Sequence, residues 1–180
     1  TGRTYISEGT LEVNGEITGD VELRARGTLA GKAIINNIAF EGALNYEGCR
    51  LAPEVQMVFK KGLALNKKVY MEMDITTEQG NQSADLIKVE GNLSVTKPVV
   101  FTIVPAESEV KPGKFKLIEY TGEFSGNLEN FSVRGLTGLS YNIVNEENAI
   151  FLVINAQREA SLGVKWTGEV DGVWNYQTKN

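Results

Sequence analysis

Residues 9–53 read GTLEVNGEITGDVELRARGTLAGKAIINNIAFEGALNYEGCRLAP. Glycine, one small residue and leucine recur in this stretch, at Gly9-Thr10-Leu11, Gly27-Thr28-Leu29 and Gly42-Ala43-Leu44, at similar but unequal intervals. Strand-like runs lie between them. A loose period of this kind, with glycine at the corners, predicts stacked coils made of strands.

Within the first coil, Leu11-Glu12-Val13 and Val21-Glu22-Leu23-Arg24-Ala25 alternate apolar and polar residues. Apolar side chains at i, i+2 and i+4 share one face of a strand, and the charges take the other. Asn14-Gly15 and Gly19-Asp20 punctuate these runs. Asn-Gly also suits a two-residue hairpin, so two arrangements compete: antiparallel hairpins, or a parallel coil in which each strand pairs with its counterpart one repeat later. The recurring Gly-x-Leu favours the coil. Leu11, Leu29 and Leu44 would then form one interior stack, with Val13, Ile35 and Tyr46 in adjacent positions. Asn36-Asn37 is expected as a corner, because Asn tolerates the left-handed conformation. Pro53 is expected to close the regular section, because proline donates nothing to a ladder.

The 180 residues can bury a sizeable core, and 42% hydrophobic with 23% charged residues is a globular composition. A net charge of −5 argues against nucleic acid, whose phosphates call for concentrated Lys and Arg. The longest apolar runs, such as residues 149–154, are far too short to span a bilayer. Thr1 stands where a start methionine would, so a preceding piece is expected in a longer parent. Histidine is absent, which removes Ser-His-Asp and Cys-His nucleophiles and His-based zinc sites. Cys49 is the sole cysteine and reads as a small apolar residue on a strand.

The progression from Gly9 to Glu54 resembles the passenger β-helix of autotransporter-type surface proteins, which repeat phrases such as GTL-x-V-x-G and G-x-L-x-PG. Thr4 to Val13 (TYISEGTLEV) is similar to the autotransporter-associated β-strand repeat. One departure stands out: Glu54 follows Leu51-Ala52-Pro53 where the family usually has glycine. Further on, Asp85, Leu86, Val89, Gly91 and Leu93 match in order a phrase found near the C-terminal end of such passengers. Residues 98–104 (PVVFTIV) and 114–120 (KFKLIEY), then 131–133, 139–143 and 149–154, resemble the strands that follow it. The resemblance covers residues 1–155. It implies that the C-terminal coils seed folding of the rest after export.

In residues 156–180, Trp166-Thr167-Gly168 and Asp171-Gly172-Val173-Trp174 resemble the phrase linking neighbouring repeat blocks. Trp166, Trp174, Tyr176 and Tyr141 offer flat faces for sugar rings, with Asn175 and Asp171 for hydroxyls. The competing reading makes both tryptophans a cap over the open end of the stack. A polysaccharide-lyase arrangement would take its base from Lys60-Lys61 or Lys67-Lys68 and its acids from Glu72, Asp74 and Asp85. Glu72 and Asp74 share a strand face, but spacing places no third acid with them, so a solvated face is the plainer reading.

The expectation is therefore an all-β protein: a right-handed parallel β-helix (solenoid) with an irregular C-terminal β cap. Residues 1–155 form the β-helix domain, with regular coils over 1–60 and cap-like coils over 61–155, and residues 156–180 are a linker or the start of a next repeat. The expected role is a non-catalytic stalk or adhesin-like display module of a larger secreted or surface-anchored Gram-negative protein, without cofactor or metal. Its partner would be the rest of its own polypeptide, and an exposed edge would let two copies pair edge to edge. The alternatives are a module of a polysaccharide-degrading enzyme that binds extracellular glycan, and a lyase fragment.

Overall fold

The structure, a computed structural model, describes residues 2–41, 48–78 and 80–155. The first strands are β1 (Thr4–Ile6), β2 (Gly9–Glu12), β3 (Glu16–Arg24), β4 (Gly27–Gly31), β5 (Ile34–Glu41) and β6 (Cys49–Pro53). Then come β7 (Gln56–Phe59), β8 (Leu63–Leu65), β9 (Val69–Thr76), β10 (Ser83–Ala84), β11 (Leu86–Val89) and β12 (Leu93–Val95). The last are β13 (Val99–Pro105), β14 (Gly113–Tyr120), β15 (Phe124–Gly126), β16 (Phe131–Arg134), β17 (Tyr141–Glu146) and β18 (Ala149–Ile154). The protein is all-β, with mainly parallel sheets.

One sheet has the order β1-β3-β5-β7-β11-β14-β18-β17. A seven-stranded sheet runs β16-β13-β9-β6-β4-β2, with β10 attached to β9, and a three-stranded sheet runs β15-β12-β8. From β7 onward the chain visits the eight-, three- and seven-stranded sheets in that fixed order: β7-β8-β9, β11-β12-β13, β14-β15-β16. Leu63 pairs with Leu93 and Leu93 with Phe124; Val69 pairs with Val99 and Val99 with Phe131. These four intervals are nearly equal, so each round of the chain there has nearly the same length. Among the earlier strands the step is much shorter, as from Leu11 to its partner Leu29.

Parallel pairing settles the choice against hairpins at Asn14-Gly15, since β1 pairs with β3 and β2 with β4. Gly9, Thr10 and Leu11 lie directly beside Gly27, Thr28 and Leu29. The third member of that stack differs from expectation. Leu51, not Leu44, pairs with Leu29, and the line continues through Met71, Phe101 and Val133. Leu44 and Tyr46 lie outside the described residues. Ile35 belongs to another stack, between Ile17 and Phe59 in the eight-stranded sheet.

Two further expectations are corrected. Asn36-Asn37 makes no corner but lies inside β5, where the β3–β5 register shifts between Ile17 and Asp20. The side-chain amides are used across the irregularity: Asn36 donates to the Thr18 carbonyl at 3.1 Å and Asn37 to the Asp20 carboxylate at 3.0 Å. Pro53 does not end the regular pairing. It closes β6 beside Gly31, and the same sheet goes on through β9, β13 and β16.

Inward positions form one apolar cluster running from Ile6 to Ile154, and alternation fills it. In β9, Val69, Met71, Met73 and Ile75 are buried, while Tyr70, Glu72 and Asp74 face outward. Cys49 is buried on β6 as expected, its thiol 3.1 Å from the Leu23 carbonyl. Burial pushes its pKa up to about 11, so it stays a thiol. Two glycines of the repeat are needed where they stand. A Cβ on Gly27 would strike the Ile6 carbonyl, and Gly31 has φ +94 with the Val13 carbonyl 2.6 Å from where its Cβ would be. At the C-terminal end, β18 is antiparallel to both β14 and β17. Glu147 and Asn148, at φ +51 and +55, make the two-residue turn of the β17–β18 hairpin.

Just past Pro53 the backbone turns left-handed at Val55. Val55 carries φ +70 and is 65% exposed, a left-handed β-branched residue with little burial to compensate. We expect Val55→Gly to stabilise the fold by about 1 kcal/mol in urea unfolding, the relief of Cβ strain outweighing the added chain entropy. A loss of stability would show that the strain is not there.

Candidate functional site

The outer face of the seven-stranded sheet carries aligned polar side chains. Thr10 lies beside Thr28, Thr28 beside Arg50 and Arg50 beside Tyr70. Two residues along, Glu72 lies beside Thr102 and Thr102 beside Arg134. They point outward because Leu29, Leu51, Met71 and Phe101, at the intervening positions, are buried. A groove of about 310 Å³ crosses this face, lined by Thr10, Thr28, Arg50, Tyr70, Glu72 and Thr102 over the small side chains of Ala30 and Ala52.

Three cations surround the Tyr70 ring. The Arg50 guanidinium lies 5.0 Å from the ring centroid, the Lys68 ammonium 5.1 Å and the Arg134 guanidinium 5.3 Å. Each is within cation–π range, worth about 0.5–1 kcal/mol at an exposed site. Gly48 leaves room for the ring, since a Cβ there would come within 2.8 Å of a Tyr70 ring carbon. The Tyr70 hydroxyl has its pKa drawn below the ordinary value. A hydrogen bond with Lys68 is the main cause; the charges of Lys68, Arg134 and Arg50 add to it against the opposing effect of burial. Alternation in residues 68–75 already put Tyr70 outward. The residues that meet it come from positions 50 and 134, and no spacing in the sequence announces that meeting.

Of the groups considered for lyase chemistry, Lys60 and Asp85 are engaged in structural contacts, and Asp85 sits beside Asp74. Lys60 pairs with Glu16 at 2.9 Å, and that hydrogen bond raises its pKa. Glu72 and Asp74 do share the outward face of β9. Asp85 is buried and acts as a tie: its Oδ1 accepts the Val55 N–H at 2.8 Å and its Oδ2 the Asp74 N–H at 3.0 Å. Among the described residues, no three His, Cys, Asp or Glu side chains come together as a set of metal ligands. Among the same residues, no helix is long and apolar enough to cross a membrane.

A surface cavity of about 520 Å³ lies between residues 105–112 and residues 135–139. Its loop is clamped by Glu107, whose carboxylate accepts both the N–H and the hydroxyl of the buried Thr77 at 3.0 and 3.1 Å. The Thr77 N–H is the main cause of the lowered Glu107 pKa. Of the residues expected to bind sugar, Tyr141 opens the edge strand β17, is 36% exposed, and its hydroxyl donates to the Val133 carbonyl at 3.5 Å. Trp166, Trp174 and Tyr176, with Asp171 and Asn175, lie outside the described residues.

No protein-family model matches the chain, and no curated protein matches it.

Asp85 yields a signed expectation. Desolvation raises its pKa, against the lowering effect of its two N–H bonds. A raised carboxyl pKa means the folded state holds the proton more tightly, so this contribution to stability is present at low pH and is lost as pH rises through the folded pKa. Asn has one acceptor oxygen and can serve only one of the two N–H groups. At neutral pH Asp85→Asn should therefore cost less than the about 1–3 kcal/mol of one unpaired N–H, because it also removes a desolvated charge, and it should abolish the Asp85 part of the pH slope. Urea unfolding of both proteins across acid to neutral pH checks the cost and the sign.

Proposed function

We propose that the chain is a right-handed parallel β-helix with an irregular C-terminal β cap, akin to autotransporter-type passengers, serving as a non-catalytic display module. It belongs to a larger secreted or surface-anchored bacterial protein and sits at the cell surface, with the rest of its own polypeptide as its partner. The observation that carries this reading is the in-register stacking of equivalent residues across parallel sheets that the chain visits in fixed rotation. Right-handedness follows from the general rule for parallel crossovers. The non-catalytic reading is supported by the engagement of Asp85 and Lys60 in structural contacts.

A β-helix that grows by stacking needs one end to close it. The antiparallel pairing of β18 with β14 and β17, strands rich in apolar residues, offers that closure, so the C-terminal rounds are the proposed seed of folding. Two outcomes are expected. A fragment of residues 1–98 should be digested by trypsin under conditions that leave the whole chain intact; a protease-resistant fragment would remove the seeding role. Incubation with uronate-containing and neutral polysaccharides should release no new reducing ends and produce no unsaturated-uronate absorbance. Product formation above the buffer rate would overturn the display reading in favour of an enzyme.

A further inference from the structure

Beyond the display role, we propose that the groove over Tyr70 is a binding site for an anionic polysaccharide, one whose sugars bear carboxylate or sulfate groups. Arg50, Lys68 and Arg134 come from different parts of the chain, and all three settle on one aromatic ring. Gathering three cations on one ring brings like charges together, and like charges repel. A bound anion relieves that repulsion and takes the charge-assisted hydrogen bonds that guanidinium and ammonium donors make best. The chain as a whole carries −5, so this concentration of positive charge is local.

The rest of the groove matches the uncharged part of a sugar. Thr10, Thr28 and Thr102 present hydroxyls that both donate and accept, and Glu72 accepts. Tyr70 gives a flat face for the apolar side of a pyranose ring. A peptide is recognised in large part through its backbone at a sheet edge. Here β6, β9 and β13 have neighbours on both sides, so this face has no free ladder. Nucleic acid calls for cations spread along a run of phosphates, whereas the three cations here gather at one ring. The groove crosses the strands, so a linear polymer lying along it from β2 meets Thr10 and Thr28, then Arg50 and Tyr70, then Thr102.

The test is affinity electrophoresis of the full chain in native gels containing dextran sulfate, alginate, neutral dextran or poly-L-glutamate. Retardation by dextran sulfate or alginate, weakening with added salt and absent with neutral dextran, is the expected result. Sulfate alone or carboxylate alone identifies which acid group the site takes. Arg50→Gln and Arg134→Gln should each weaken binding about tenfold, and Tyr70→Ala should abolish it, with melting temperatures measured alongside. Lys116→Gln, which makes the same charge change on the other sheet, should leave binding unaltered. The proposal is overturned if neither charged polysaccharide retards the protein, if poly-L-glutamate does so equally, or if a folded Arg50→Gln/Arg134→Gln double variant binds as the wild type does.

Discussion

Each inward side chain rests on its in-register counterpart one strand away, and the rest of the structure depends on that contact. Leu29, Leu51, Met71 and Phe101 follow one another across four strands, and none is exposed. No single short strand could bury such a side chain alone; it is covered only because its neighbours repeat the same polarity. The parallel line Cys49, Val69, Val99 and Phe131 obeys the same rule with different volumes. At the β16 end two large inward rings, Phe101 and Phe131, stack with centroids 5.4 Å apart and planes 6° apart.

Alternation is legible in the sequence; register is not. The faces of β2, β3 and β9 follow from residues spaced by two, and the parallel pairing of Gly9-Thr10-Leu11 with Gly27-Thr28-Leu29 follows from their repetition. The short step survives the addition of β8, since Leu51 pairs with Met71; it lengthens only from Met71 to Phe101, where long connections follow β9 and β13, and Gly-x-Leu no longer marks it. By spacing Leu44 is the natural successor to Leu29, but the residue that pairs with it is Leu51, further along the chain. Asn36-Asn37 misleads for a related reason. The tolerance of Asn for left-handed backbone is a local preference, and pairing with β3 together with two side-chain amide bonds outweighs it.

Polar residues divide into two kinds that composition alone would lump together. Asp85 and Glu107 close hydrogen bonds to backbone N–H groups on other segments. Asn92 does the same, its side-chain oxygen accepting the Glu123 N–H at 2.9 Å. These groups tie successive rounds together, so their identity is a folding requirement. That is why Asp85, which suits a catalytic acid when read singly, is occupied with Val55 and Asp74.

Arg50, Tyr70 and Arg134 are of the other kind. They stand on the outward side of a sheet whose inward side supplies the packing, and their side chains meet one another there. Stacking fixes where an outward residue sits but leaves its chemistry open, since any polar side chain satisfies a solvated position. Threonine would do as well for folding at positions 50 and 134, as Thr28 and Thr102 show beside them on neighbouring strands of the same face. Two guanidiniums gathered on a phenol ring, with a glycine at 48 making room for that ring, are more than folding asks of this surface. The repeat supplies the positions, and the residues placed there are where a function can differ from one such protein to the next.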